Sequence, residues 1–145
     1  MTGFRAMVLV CLVLALMACQ PEASKAVPFP DAICDDGGFC QSSRDDRHIR
    51  LRFLAPPNPL EAFPFEVRLK GFAETPPFEV QVRFEMTGMD MGLNRYRLQH
   101  DKKGHYTGRA VLPVCTSGRH DWQAVVTVVS AGKVWEARFR FQAGK

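Results

Sequence analysis

An all-β fold is predicted by three features of this 145-residue sequence. Apolar residues alternate with polar ones at period two over several short runs, as they do in strands with one buried face. Most of the ten prolines and eleven glycines fall outside those runs, where turns and loops belong. Seven of the eleven phenylalanines sit within the runs, and no stretch shows a helical 3.6-residue period. The length suits one domain. The 46% hydrophobic and 23% charged contents are those of a folded globular chain.

The alternation begins at His48. Ile49, Leu51 and Phe53 alternate with Arg50 and Arg52. Phe63, Phe65, Val67 and Leu69 alternate with Glu66, Arg68 and Lys70. Phe78, Val80, Val82, Phe84 and Met86 alternate with Glu79, Gln81, Arg83 and Glu85. Further strands are expected over 93–99, 105–114, 122–129 and 134–142. In the last, Trp135, Ala137, Phe139 and Phe141 oppose Glu136, Arg138 and Arg140. Turn chemistry separates the runs at Pro56-Pro57-Asn58-Pro59, Pro76-Pro77, Asp101-Lys102-Lys103-Gly104, Ser117-Gly118 and Ala131-Gly132. About seven antiparallel strands at this spacing predict an immunoglobulin-like β-sandwich over 47–145.

Residues 1–18 read as a targeting segment. Arg5 provides the positive start, and Ala6 to Ala18 an apolar run shorter than the roughly 20 residues that span a bilayer. Leu16-Met17-Ala18-Cys19 resembles a bacterial lipobox, in which the cysteine is lipidated. The resemblance implies an anchor at Cys19. With Gln20 next in place of Asp, it implies sorting to the outer membrane of a Gram-negative bacterium, facing the periplasm. Residues 19–46 lack periodicity and carry Pro21, Pro28 and Pro30, as expected of a tether. In that oxidising compartment Cys34, Cys40 and Cys115 are disulfide candidates. Cys34 and Cys40 flank Asp35-Asp36-Gly37-Gly38-Phe39 and can close a small loop, and either can instead reach Cys115.

Chemistry concentrates at Met86-Thr87-Gly88-Met89-Asp90-Met91-Gly92. Thioethers are soft ligands suited to Cu(I). Met89 and Met91, two apart, share a side of an extended segment, whereas Met86 continues an apolar face and fits the core. If Asp101 to Gly104 turns a hairpin, opposed positions sum to 205. His100 then faces His105, and Cys115 comes opposite Asp90 with His120 close by. The expected soft site is thus Met89 and Met91 with His120, Cys115 and Met86. His100 and His105 across the hairpin would make a second, harder one for Cu(II) or Zn(II).

The stretch from Phe84 to Gly92, with Gly104-x-Tyr106-x-Gly108-x-Ala110-x-Leu112-Pro113 and Trp122-x-Ala124, resembles YtkA-like and FixH-like domains. The resemblance covers roughly 62–142. It implies a small membrane-tethered sandwich tied to copper handling or oxidase assembly, with a copper donor, a copper acceptor or an assembly protein as partner. The lipobox and the three cysteines depart from the FixH-like pattern. No nucleophile elbow, phosphate loop or paired carboxylate points to an enzyme. The net charge of +4 does not imply a nucleic-acid binder. The two functions expected are therefore copper binding in delivery or homeostasis, and a metal-free interaction module of the envelope.

Overall fold

The structure is a computed structural model that describes residues 25–76, 78–89, 92, 94–114 and 116–144. The targeting segment, Cys19, Asp90, Met91 and Cys115 lie outside the described residues. Eleven strands form two sheets packed face to face, and no described residue is helical. This is the predicted all-β sandwich, consistent with an immunoglobulin-like fold.

The first sheet runs β1 (Val27–Pro28), β11 (Lys133–Gln142), β10 (Asp121–Ser130), β6 (Glu79–Met86) and β7 (Arg95–Arg97), with β2 (Ala32–Ile33) also on β11. The second runs β3 (Phe39–Arg44), β4 (Arg47–Phe53), β5 (Ala62–Lys70), β9 (His105–Val111) and β8 (Gln99–Lys102). Pleating sends alternate side chains inward. The inward sets are those the alternation predicts: Ile49, Leu51, Phe53; Phe63, Phe65, Val67; Val80, Val82, Phe84, Met86; Trp122, Ala124, Val126, Val128; Trp135, Ala137, Phe139, Phe141. Val125 faces outward and is still fully buried. It lies in register with Arg83 on one side and Arg138 on the other, residues whose side chains are long enough to shield it. Ala131 and Gly132, both at positive φ, close the β10–β11 hairpin in the handedness a two-residue turn needs.

Two sequence expectations are revised. Residues 27–44, placed in the tether by their lack of periodicity, belong to the sandwich. β1 and β2 run parallel to β11, and β3 pairs along the whole of β4 from Phe39↔Arg52 to Arg44↔Arg47. The pattern is hidden because β3 turns a polar residue inward: Ser42 is buried and donates its hydroxyl to the Pro30 carbonyl at 2.6 Å. The strand expected over 93–99 is two strands in two sheets. Arg95–Arg97 pairs with Gln81–Arg83, and at Leu98 the chain crosses to pair Gln99 with Thr107. Tyr96 fastens the crossing, since its hydroxyl both donates to the Val111 carbonyl and accepts from the Val111 N–H at 3.1 Å.

The chain enters the sandwich at one end. There Phe29, Phe72 and Trp135 pack ring against ring at 6.0–6.2 Å, and the Arg47 guanidinium lies 4.6 Å from the Trp135 centroid. From Val27 the backbone follows β11 to Ile33, which brings Cys34 to the opposite end.

Candidate functional site

That opposite end carries a cleft of about 1040 Å³ built from four loops. Cys34 and Cys40 are joined by a disulfide, so of the pairings the sequence allowed the local loop is the one formed. The loop is held internally as well. The Asp35 carboxylate accepts from the Phe39 N–H at 2.8 Å, and the Asp35 carbonyl accepts from Gly38 at 2.9 Å. Phe53 N–H donates to the Gly38 carbonyl at 2.9 Å, docking the loop on the end of β4. Leu54 to Pro57 forms the facing wall, the ends of β10 and β11 a third, and Thr87 a fourth.

The floor is aromatic, with Trp122 and Phe141 below Phe53; the Phe53 and Phe141 rings lie 4.7 Å apart. The rim is apolar and exposed: Ile33 retains 73% of its surface and Leu54 49%. Arg119 grips Asp121 through a two-pronged ion pair and donates to the Thr87 carbonyl at 3.1 Å. The Arg119 hydrogen bond outweighs the modest desolvation and holds the Asp121 carboxyl below its usual range. Arg140, also on the wall, pairs with no carboxylate among the described residues. The arrangement offers aromatic and aliphatic surface with a guanidinium beside it that has no carboxylate partner among the described residues, which is recognition chemistry.

The sequence-predicted metal residues are distributed otherwise. Met86 is 1% exposed and belongs to the core, paired with Trp122. Met89 is 38% exposed. It ends the tight turn Met86-Thr87-Gly88-Met89, closed by Met89 N–H to the Met86 carbonyl at 3.0 Å. Gly88 sits at φ +76°, the value such a turn requires at its third position. His120 shares a hydrogen bond between its Nδ1 and the Ala143 carbonyl at 3.1 Å, which turns its ring toward β11, away from the β6 side where Met89 lies. Met91 and Cys115 fall outside the described residues. The predicted register also fails: β8 slips at Asp101, so that His100 faces Tyr106 and Lys102 faces His105. The crossing at Leu98 ends the β8–β9 pairing there, and the expected pairing of Asp90 with Cys115 lies outside the described residues.

The two hairpin histidines therefore part company. His105 is held at 2.8 Å on both nitrogens, by Asp101 and by the largely buried Glu66, which also pairs with Arg68. His100 leans on the Tyr106 ring at 5.2 Å and approaches Glu74 at 3.6 Å. Among the described residues, no three His, Cys, Asp or Glu side chains gather as a metal-binding group.

Burial raises the Glu66 pKa, but the hydrogen bonds and charges of His105 and Arg68 more than offset this and leave it below normal. A lowered folded-state pKa contributes stability that is in full above the unfolded value of about 4.3 and fades as the pH falls through the folded one. Melting temperature should thus drop as pH is lowered below about 4.5, and Glu66→Gln should flatten that drop. Parallel pH profiles for variant and wild type would refute the assignment.

Cleft residues come from positions 33–38, 52–57, 87, 119, 121–122 and 140–142, a separation that hid the site from sequence reading. The signals present were the Cys-flanked Asp-Gly loop and the Pro56-Pro57 pair. No protein-family model matches the chain, and no curated protein or solved structure matches it.

Proposed function

We propose that the protein is a lipid-anchored periplasmic interaction module that presents its cleft end to an envelope protein. One observation carries the reading: the chain enters the sandwich at the Trp135 end, and the cleft opens at the other. β11 spans ten residues between those ends, roughly 33 Å at 3.3 Å per residue. A chain anchored at Cys19 would therefore hold its cleft away from the lipid. The occupant is an extended protein segment with apolar side chains for the Ile33 and Leu54 rim and a carboxylate for Arg140. A photo-crosslinker at Leu54 should give a discrete adduct in the native envelope that Arg140→Glu abolishes. The same group at Lys133, on the opposite end, should give none. Equal adducts from both positions, or none from Leu54, would remove the proposal.

A second reading, copper delivery or homeostasis, is supported by the exposed Met89 thioether next to the cleft residue Thr87. Cu(I) titration with a chromogenic competitor tests it. Tight one-to-one binding that collapses in a Met89→Leu/Met91→Leu variant supports a soft site, and no competition by the wild type sinks it.

A further inference from the structure

Each sheet pairs some of its arginines with carboxylates and leaves others, Arg140 on the first among them, with no carboxylate partner among the described residues. On the second, two of the unpaired ones, Arg50 and Arg52, gather beside one another. On the first sheet Arg83 pairs with Glu85, Arg97 with Glu79 and Arg138 with Glu136. On the second, no carboxylate among the described residues pairs with Arg50, Arg52 or Arg109. The β4–β5 register sets Arg50 directly opposite Arg68, in a cross-strand row Gln41, Arg50, Arg68, His105. Opposed residues hold their Cβ atoms about 4.5–5.5 Å apart, and like charges there repel. Among the described residues Arg50 donates its Nε to the Gln41 side-chain Oε1 at 2.8 Å, which leaves both terminal nitrogens for another acceptor. Arg68 spends Nε and one terminal nitrogen on Glu66. Above the pair is a hollow of about 440 Å³, walled by Arg52 and by Asp35, Gly37 and Phe39 of the disulfide loop. Its two carboxylates are engaged: Asp35 by the Phe39 N–H, and Glu66 by His105 and Arg68.

We propose that this hollow binds a phosphate-class anion between Arg50 and Arg68, with Arg52 as a third donor. A dianion placed there relieves the repulsion and accepts from guanidinium forks whose planar geometry matches tetrahedral oxyanions. The hollow adjoins the end cleft, with Asp35, Gly37 and Arg52 lining both, but its test does not depend on a protein partner.

Melting of the full chain with sodium phosphate, against sodium chloride at matched ionic strength, reads the effect directly. Phosphate should raise the wild-type midpoint beyond chloride, because a ligand that binds only the folded state stabilises it. Arg50→Gln removes the repulsion, so it should melt in chloride no lower than wild type. It should lose the phosphate increment and weaken phosphate binding about tenfold or more. Equal gains from chloride and phosphate would mean simple screening and overturn the site, as would a phosphate response retained in Arg50→Gln. Flotation with phosphatidylcholine vesicles, plain or carrying phosphatidic acid, separates two sources of the same headgroup. A phosphatidic-acid preference lost in Arg50→Gln assigns a lipid phosphate. A phosphate response without that preference assigns a soluble one.

Discussion

Phe84→Ala is expected to lower stability by about 3–5 kcal/mol, the cost of removing a fully buried ring and leaving a cavity. Phe84 is fully buried on β6 and stands between the sheets. Its ring lies 5.4–6.4 Å from those of Phe53, Phe63, Phe65, Tyr96 and Phe141, which come from four other strands. No neighbour can collapse into the space without leaving its own partners. For a domain of this size the midpoint should fall by roughly 10–20 °C, a large part of a total stability of about 5–15 kcal/mol. Phe84→Leu keeps part of the volume and should cost about 1–2 kcal/mol, which guards against a variant that fails to fold. Arg83→Ala, one residue along and facing solvent, is the comparison. If thermal melts place Phe84→Ala beside Arg83→Ala, the aromatic centre of the sandwich has been misread.

Loss of the Cys34–Cys40 disulfide is the second large effect. Cross-linking a seven-residue loop restricts the unfolded chain by about 2–3 kcal/mol in the loop-entropy account. Reducing the wild type and testing Cys34→Ala/Cys40→Ala should both lower the midpoint, by similar amounts. Cys40 is buried on β3, so the double variant also loses some packing. The consequence should reach the cleft, because the loop is one of its walls and bears on Phe53. Adduct formation from Leu54 should fall on reduction even where the chain remains folded. An unchanged midpoint under reduction would show that the Asp35 hydrogen bonds hold the loop without the sulfur link.

Local pattern was informative wherever one residue in two faced the core. Phe78 to Met86 and Trp135 to Phe141 could be assigned to a face from period two alone, because a strand offers each side chain only two directions. The same rule failed where burial was not apolar. Ser42 replaces an inward hydrophobe with a hydroxyl satisfied by Pro30, and β1 and β2 are too short to show any period. It failed again at Leu98, where the chain changes sheets and one apparent strand becomes two. The register that would have set His100 opposite His105 failed as well. A register extrapolated from a turn over Asp101 to Gly104 assumes unbroken pairing, and the slip at Asp101 and the crossing at Leu98 break it.

The sequence by itself determined the all-β class, the inward-facing residues of the main strands and the core position of Met86, since these follow from side-chain alternation and the cost of exposing apolar surface. Only the tertiary structure decided the disulfide partner, the separation of His100 from His105, the cleft at the end away from the entering chain and the opposition of Arg50 and Arg68. Each of those depends on which strands become neighbours and in what register, and that is settled by how two twisted sheets pack across a shared core.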